Sequence, residues 1–572
     1  MKFASFLATI LVLLLGHVAI AAGTPPNIVI VLVDDAGYGD WGVHGHPFLK
    51  TPAIDRLHGE SIRLTDFHVA PMCTPTRGQL LTGLDAVRNG ATSVTGGRSF
   101  IRPGIPTLPA LLARAGYRTG IFGKWHLGDN YPHRPMDRGF QDAVWVKGWG
   151  FTSAPEFSNG LFDGRCYRGD RETRFKGYIT DFCFEEAMAW MKARQTSREP
   201  FFCYVPLHAA HAPHQVPENY SAPYKGAAAG AAGFFGMLAN IDENVARLES
   251  FLQSTGLREN TIVLFMTDNG GTAGVRFFNA GLRGKKTEFY EGGHRVPAFV
   301  RWPAGKLRAP MDLNVPLQIQ DIAPTLLEFS GATKSVPKFD GVSLASLLRG
   351  KIDRLPDRMC VVQYSRAKLE KWECAVVWNE WRLVHGKELY NVASDREQAK
   401  DLAKERPEIV ERLRAHYEKW WAGLGEKTEE FVRTTIGSTA QPVVELTSAD
   451  WQDVYCDNSN HIRQGLGGPR GGPWNIHVER AGDYEISLRR WPPDLDLALN
   501  SPQGENSIQL AIAGGTVAVA GIQRSTKVAD GAKEIVIRMN LPQGPAQLQA
   551  WFQDASGGDL RGAYFATIRP KL

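Results

Sequence analysis

The chain reads Asn27-Ile28-Val29-Ile30-Val31-Leu32-Val33 shortly after its N-terminus, and Asp34-Asp35 follows directly. A continuous β-branched run of this kind is typical of a strand that is buried on both faces of a parallel sheet. Thr261 to Met266 has the same character, and Tyr117 to Phe122 and Phe201 to Val205 predict two further strands. We therefore expect a sheet whose central strands are fully covered.

Helical patterns separate these strands. They lie at Thr107 to Ala115, Thr180 to Arg194 and Asn240 to Ser254. Strands that alternate with helices over about 300 residues predict a large α/β sheet with helices on both faces.

A smaller unit is predicted after this main domain, which we assign to residues 22–355. Within residues 356–432, Cys374 to Trp378 and Trp381 to His385 are typical of a β-hairpin. Pro407 to Trp421 predicts an amphipathic helix, because proline suits a first turn and apolar residues recur on one face. We expect a small antiparallel sheet with one helix, packed on the main domain.

The last part of the chain, residues 441–572, has a different character. Glycine, proline and asparagine interrupt short apolar runs, and helical patterns do not separate them. Such a succession predicts a β-sandwich. Strands are expected at Gly482–Leu488, Ser507–Ile512, Lys533–Arg538 and Gln547–Phe552. Arg433 to Gln441 is interpreted as a linker.

Composition and the N-terminus limit the class of protein. The 572 residues include 65 basic and 60 acidic side chains, a formal net charge of +5. This mild excess permits an anionic substrate but does not indicate a nucleic-acid partner. Lys2, the apolar run Phe6 to Leu15 and the motif Ala19-Ile20-Ala21 predict a signal peptide over residues 1–21. We expect an exported protein, periplasmic or extracellular. The alternative is an uncleaved membrane anchor, for which the apolar run is short.

Seven cysteines are present without any Cys-x-x-Cys pair, so zinc-ribbon and thioredoxin-type sites are not indicated. If Cys73 is set aside, six remain. In an oxidising compartment some could pair, for example Cys166 with Cys183 or Cys360 with Cys374. Cys203 lies in an apolar run and is interpreted as a buried free thiol.

Oxygen-bearing side chains follow two of the predicted strands. Asp34 and Asp35 follow the first, and Asp268 and Asn269 follow Thr261 to Met266. Ligand groups of open α/β sheets gather at the carboxyl ends of strands, and buried carboxylates repel unless a cation compensates them. An all-oxygen set indicates a hard cation, Ca²⁺ or Mg²⁺, rather than zinc. Each pair alone could instead be a strand-end turn or a helix cap.

Basic side chains occur in two further motifs. Lys124 and His126 lie two apart in a predicted extended segment, where they would point the same way. One could hold an anion while the other moves a proton. The loop from Gly284 to Arg295 could bring Lys285 or Lys286 onto a bound oxyanion, or it could be a solvated basic loop.

Three histidines, His208, His211 and His214, follow the strand that begins at Phe201. Zinc ligation is one interpretation. A general acid for a leaving group is the better one, because histidine titrates near neutral pH.

Cys73 begins the run Cys73-Thr74-Pro75-Thr76-Arg77. Pro75 suits the first turn of a helix, and a helix N-terminus favours negative charge beside the cysteine. Arg77 lies about one turn on, so its guanidinium can reach the same pocket. The alternative is a buried structural cysteine with an incidental arginine.

Together these motifs resemble the type I, formylglycine-dependent sulfatases of the alkaline phosphatase superfamily, of the arylsulfatase A and B kind. The family signature Cys-x-Pro-x-Arg corresponds to Cys73 to Arg77, with Leu81-Thr82-Gly83 behind it, and the second signature corresponds to Gly116 to Gly128. The resemblance covers residues 25 to 425. It implies a large mixed sheet sandwiched by helices, followed by a small antiparallel sheet with a helix.

The resemblance also implies a mechanism. A formylglycine-generating maturation enzyme would oxidise Cys73, and the aldehyde hydrate would be the nucleophile. A geminal diol forms a sulfated hemiacetal that collapses to the aldehyde and expels sulfate. One Ca²⁺ per chain would be held by Asp34, Asp35, Asp268, Asn269 and an oxygen of the modified Cys73.

The remaining site residues receive roles from the same resemblance. Arg77 and Lys124 would stabilise the diol, and His126 would deprotonate its second hydroxyl. His211 would protonate or orient the leaving oxygen. Lys286 would bind the sulfate, with Lys285 as the competing residue.

The expected substrate is a sulfated small molecule or saccharide. Gln215 to Tyr220 resembles the arylsulfatase B-like branch, which includes enzymes that act on sulfated sugars. The candidates near the pocket mouth are His133, Arg134, Arg138, His214 and Arg276. The β-rich region would contact carbohydrate or serve packing alone. Two alternatives are a phosphonate monoester or phosphodiester hydrolase of the same superfamily, and a non-catalytic glycan-binding protein.

Overall fold

The computed structural model describes residues 24–195, 197, 199–332, 334 and 336–571. The predicted signal peptide, residues 1–21, lies outside the described residues. In the described part of the chain, no helix combines the length and the apolar character that a membrane span requires.

A mixed sheet of ten strands forms the centre of the main domain, which confirms the predicted fold class. Five neighbouring strands run parallel, and antiparallel pairs extend the sheet on both sides. In spatial order the strands are Asp312–Leu313, Ile62–Leu64, Ala298–Arg301, Thr261–Thr267, Asn27–Val33, Phe201–Pro206, Arg118–Lys124, Asp142–Val146, Arg165–Arg168 and Arg171–Arg174. A separate pair joins Phe67–His68 to Leu317–Gln318.

Alternate residues of the strand Asn27–Val33 enter two separate cores. Ile28, Ile30 and Leu32 lie in one core, and Val29, Val31 and Val33 lie in the other. Burial on both faces explains why the run is apolar at every position instead of alternating with polar residues.

Helices cover both faces of the sheet. The first core contains Cys73–Thr82, Leu108–Arg114, Ile322–Ser330 and Ala345–Leu348, and the second contains Pro52–Gly59, Ile179–Arg194 and Ala232–Ser254. Single-turn helices lie at Ala86–Asn89, Glu218–Ser221 and Glu291–His294. The predicted start of one helix at Asn240 was wrong: it begins at Ala232, because Phe234 and Phe235 extend its buried face toward the N-terminus.

A four-stranded antiparallel sheet follows, as predicted. Its strands are Cys360–Gln363, Cys374–Trp378, Trp381–Val384 and Glu388–Asn391. Helix Pro407–Ala422 packs on one face through Leu413 and Tyr417. The other face packs against Met72 and Cys73 of the main domain.

Two further sheets form the C-terminal region and share one apolar core, which gives the predicted sandwich arrangement. One contains Thr434–Ile436, Trp474–Val478, Gly544–Gln553, Gly514–Val519, Ile522–Lys527 and Asp559–Gly562. The other contains Val444–Thr447, Phe565–Pro570, Gly482–Arg489 and Ile535–Leu541.

Three details of this region differ from the sequence prediction. Thr434–Ile436, interpreted as linker, pairs in parallel with Trp474–Val478. A short helix, Ser459–Arg463, lies among the strands. Ser507–Ile512 forms no strand, because the amides of Ile508 and Ile512 donate to Arg463 O at 3.0 Å and Asn500 Oδ1 at 2.9 Å instead of to a neighbouring strand.

All seven cysteines fall in the described part of the chain, and all are buried free thiols. The two suggested disulfides are therefore not formed. Cys360 and Cys374 lie on adjacent strands but pair with Val377 and Gln363. This offset separates them by roughly 10 Å along the ladder, at about 3.4 Å per residue. Cys203 is a buried thiol, as predicted.

Candidate active site

Two neighbouring strand ends bring the predicted oxygen ligands together. Strands Asn27–Val33 and Thr261–Thr267 are parallel, and Val33 lies opposite Thr267. Asp34 and Asp35 therefore leave the sheet beside Asp268 and Asn269. The Asp35 amide donates to Asp268 Oδ1 at 3.3 Å, and Asn269 Nδ2 donates to Asp35 Oδ1 at 3.0 Å.

The donor set fits a hard cation. Asp34 Oδ1 and Asn269 Oδ1 are buried and accept no hydrogen bond within the described structure. Burial raises the pKa of Asp268 to about 7, and the Asp34 charge adds to that rise. Buried oxygens without partners and crowded carboxylates are the arrangement that an oxygen-coordinated cation such as Ca²⁺ compensates.

Cys73 lies at the first position of helix Cys73–Thr82, beside these carboxylates. Its Sγ and one oxygen each of Asp34 and Asp268 lie within 4.8 Å of one another. Burial raises the pKa of the Cys73 thiol to about 11, against the opposing charges of Lys124 and Lys286. As an unmodified thiol, Cys73 is therefore protonated at neutral pH.

Arg77 reaches the same pocket from one turn further along the helix, as the sequence predicts. Its Nη2 donates to Asp268 Oδ2 at 2.7 Å and to Asp34 Oδ2 at 3.2 Å. Its Nη1 donates to the Lys124 carbonyl at 2.9 Å. Arg77 therefore links the ends of three strands: Asn27–Val33, Thr261–Thr267 and Arg118–Lys124.

Lys124 and His126 both face the site, but the predicted extended geometry was wrong. The strand ends at Lys124, whose ammonium donates to Asp34 Oδ2, and His126 adopts a φ of 59°. Both ring nitrogens of His126 are buried without a hydrogen-bond partner. Burial holds the pKa of His126 well below its usual range, with the charges of Lys124 and Arg77 adding to the effect. The ring is therefore neutral at neutral pH.

Lys286, and not Lys285, points into the site. Lys286 Nζ donates to Asp35 Oδ1 at 2.5 Å, whereas Lys285 is exposed. The Lys286 amide donates to Gly271 O at 3.1 Å. The loop can approach so closely because Gly270 has no side chain: a Cβ there would lie 1.9 Å from Gly292 O.

The three histidines after strand Phe201–Pro206 do not converge on one point. His211 Nε2 lies 3.8 Å from Asp35 Oδ2, and its Nδ1 contacts Ala212 O at 2.7 Å. His208 packs edge-on against Phe151, and His214 packs against Phe234. The zinc interpretation of this motif therefore has no support in the geometry.

Most of the candidates for the pocket mouth lie elsewhere. His133 is buried against Phe100 and bonded to Arg433 O at 3.0 Å, and Arg134 pairs with Asp137. Arg138 and Arg276 donate to backbone carbonyls, and Arg276 also covers the ring of Phe277. Of these five candidates, His214 lies close enough to the site for the Asp35 charge to raise its pKa. Burial has the larger, opposite effect and lowers that pKa.

Several residues near the site were not predicted, because tertiary contacts bring them there from distant segments. Tyr364 packs in one cluster with Cys73, and Trp149 lies against His211 with ring centroids 5.2 Å apart. Arg366, Tyr455 and Asp457 lie further out. No local spacing in the sequence signals these contacts.

A buried ionic network supports the loop that carries Lys286. Arg382, on strand Trp381–Val384, donates to Glu291 Oε1 at 2.7 Å and to Asp66 Oδ1 at 2.7 Å. His68 lies between two further members of this network. Its Nε2 is 3.0 Å from Asp66 Oδ1, and its Nδ1 is 2.9 Å from His294 Nδ1. These ion pairs hold the small sheet against the part of the main domain that supports the Lys286 loop.

The fold and the site together define a hydrolase of tetrahedral oxyanion esters. Residues 26–332 match the family model described as Sulfatase. The chain belongs to the sulfatase family, and it is a sulfuric ester hydrolase.

Individual proteins agree with this assignment. The chain is 33% identical over 412 residues to an N-acetylgalactosamine-6-sulfatase of Canis lupus familiaris, which covers 64% of this chain and 76% of that protein. It is 32% identical over 381 residues to arylsulfatase G of Homo sapiens, covering 58% and 70%. Among solved structures, Ps i-CgsB in complex with k-i-k-neocarrahexaose superposes with a TM-score of 0.64 at 25% identity, covering 72% of this chain and 95% of that one.

Proposed function

We propose that this sulfatase removes sulfate from a sulfated carbohydrate by means of a formylglycine derived from Cys73 and a bound Ca²⁺. The observation that carries the proposal is the convergence of Cys73 Sγ, Asp34 and Asp268 within 4.8 Å, in a pocket that also contains Arg77, Lys124 and Lys286. Cationic side chains fixed around the reacting group favour the charge that develops on a transferring sulfuryl group.

Conversion of Cys73 explains how a buried, protonated thiol can serve as the catalytic centre. Its raised pKa, about 11, makes the thiol a poor nucleophile at neutral pH. Formylglycine supplies instead a hydrated aldehyde that can accept the sulfuryl group and later release it as sulfate. The conversion requires a formylglycine-generating enzyme as a partner.

Asp34, Asp35, Asp268 and Asn269 would hold the Ca²⁺, and an oxygen of the modified residue would complete the set. When bound, the cation neutralises the carboxylates and polarises a sulfate oxygen. Binding would also release the Lys124 and Lys286 ammonium groups from their contacts with Asp34 and Asp35. Both lysines could then bind the anionic substrate.

We assign the two proton transfers of the reaction to different histidines, His126 and His211. His126 is neutral and has two free ring nitrogens, which suits a base that removes a proton from the attacking side. Burial lowers the pKa of His211 to about 4, partly opposed by Asp35. A bound sulfate would raise that pKa and allow Nε2 to carry the proton that the leaving oxygen needs.

The relatives favour a carbohydrate substrate. One carries the name N-acetylgalactosamine-6-sulfatase, and one was solved with k-i-k-neocarrahexaose. The predicted signal peptide adds that the enzyme acts after export, in the periplasm or outside the cell. A sulfated saccharide in that compartment is the substrate class we assign.

The test compares wild-type protein with Cys73→Ala, both produced with a formylglycine-generating enzyme. The mass of the peptide that contains Cys73 should show replacement of CH₂SH by CHO, and turnover of an aryl sulfate should vanish in the variant at unchanged unfolding temperature. An unmodified, inactive wild type would favour the glycan-binding alternative. Faster turnover of aryl phosphonate than of aryl sulfate would refute the sulfate ester specificity.

A further inference from the structure

A segment of the C-terminal region, residues 453–461, is anchored at the edge of the active site. The amide of Ala154 donates to Asp457 O at 2.7 Å, and the amide of Ser459 donates to Thr152 O at 3.0 Å. Ser153 and Asn458 form an isolated β-bridge between these two bonds. The segment is therefore fixed to the loop after strand Asp142–Val146 of the main domain.

This loop connects the segment to the reacting centre through Trp149. The indole ring packs on His211, whose Nε2 lies 3.8 Å from Asp35 Oδ2. The indole Nε1 is buried. Burial raises the pKa of the neighbouring Asp457 to about 6, against the polar contacts of Asn458 and Trp149. The buried Asp457 carboxylate and the Trp149 indole thus lie close together next to His211.

Arg366 also contacts this segment. It follows Tyr364, which packs in the cluster that contains Cys73. The Arg366 side chain is exposed, and its Cζ lies 5.6 Å from the ring centroid of Tyr455. Its charge acts on Asp457, whose pKa it lowers. Arg366 is therefore an exposed cation beside Tyr455 and Asp457.

Tyr455 belongs to the segment 453–461 and contacts Arg366. Its ring is 47% exposed and packs edge-on against His461 at 4.9 Å. Burial raises the pKa of its hydroxyl, as does the charge of Asp457, whereas the charges of Arg366 and Lys286 lower it. The tyrosine is thus a half-exposed aromatic surface within electrostatic reach of the lysine assigned to the sulfate.

We propose that Tyr455 and Arg366 form a subsite for the sugar unit next to the one that carries the sulfate to be removed. Tyr455 stacks on the apolar face of that sugar and Arg366 binds an anionic substituent on it, while the buried Asp457 holds the segment in place. The C-terminal region then sets a preference for substrates longer than one sugar. This proposal rests on the proposed function, because it assumes a sulfated saccharide in the active site.

The test measures kcat/KM on three probes: an aryl sulfate, a sulfated monosaccharide and a disaccharide that extends it. We expect Tyr455→Ala to lower the ratio of disaccharide to aryl sulfate kcat/KM about tenfold, the equivalent of about 1.4 kcal/mol, and Tyr455→Phe to retain it. Val536→Ala, an exposed apolar side chain on strand Ile535–Leu541, is the control and should keep the wild-type ratio.

Arg366→Met separates the anionic contact from the stacking contact. Arg366→Met should lower kcat/KM more for a disaccharide that carries a second sulfate or a carboxylate than for one that carries neither. This difference in kcat/KM should shrink as the salt concentration rises. An unchanged disaccharide ratio in Tyr455→Ala at a wild-type unfolding temperature would overturn the subsite. Failure of the matured wild type to hydrolyse any of the three sulfates would instead overturn the proposed function.

Discussion

Lys286 and Lys285 are adjacent in the chain and face different surroundings. Lys286 donates to Asp35 Oδ1 at 2.5 Å, and although burial alone would lower its pKa, the charges of Asp35 and Asp34 raise it above its usual range. Lys285 is exposed. The sequence could not separate the two, because the choice depends on how the loop is held by Gly271 O and Pro71 O.

The substitution Lys286→Ala should lower kcat/KM for an aryl sulfate by about 10²–10³-fold, because a fixed charge on the transferring group is lost. Lys285→Ala is the matched control, since it removes the same charge from the neighbouring exposed position. The measurement is kcat/KM of each matured variant, obtained from steady-state kinetics. Equal losses in the two variants would contradict the assignment.

At the scale of elements, the sequence predicts the sheet and its strand ends because both follow from local patterns. An uninterrupted apolar run such as Asn27–Val33 is informative by itself, and the acidic pairs follow such runs directly. The local pattern of Ser507–Ile512 also predicts a strand, but this segment finds no strand partner, because pairing is decided by distant segments. The residues of the site mouth, such as Trp149 and Tyr455, were missed for the same reason.

The two strand ends also carry a prediction about calcium. A cation that binds the folded state alone should stabilise it by about 2.7 kcal/mol at a hundred times its dissociation constant. We expect Ca²⁺ to raise the unfolding temperature of chelator-treated protein, and Asp268→Asn to abolish that increase. Asp312→Asn, an exposed carboxylate at the sheet edge, should retain it. A calcium-dependent increase of wild-type size in Asp268→Asn would refute this cation site.

At the scale of the whole molecule, the buried Arg382 connects the small sheet to the main domain. It pairs with Glu291, in the helix that ends the Lys286 loop, and with Asp66, near the strand Phe67–His68. Removing one partner of a buried pair leaves uncompensated charge and costs about 3–5 kcal/mol. Loss of this contact should therefore weaken both the docking of the two units and the support of the active-site loop.

We expect Arg382→Met to lower the free energy of unfolding by about 3–5 kcal/mol in urea denaturation at neutral pH. Arg538→Met, which removes an exposed arginine paired with Glu485 at 3.2 Å, should cost less than about 1 kcal/mol. Similar losses in the two variants would contradict the role of the buried network.

The pH dependence of this deficit follows from the two carboxylates. Burial by itself would raise the pKa of Glu291, but the charges of Arg382, His68 and Arg295 together outweigh it and lower the pKa to about 2. A depressed pKa contributes stability above the unfolded value of 4.5, and that contribution is lost as pH falls toward 2. In Arg382→Met, burial is no longer opposed by the Arg382 charge, so Glu291 and Asp66 should bind protons at higher pH and the variant should gain stability as pH falls. The difference in unfolding free energy between wild type and variant should therefore shrink from pH 7 to about pH 4. A deficit that stays constant over this range would mean that lost packing, and not unpaired charge, causes it.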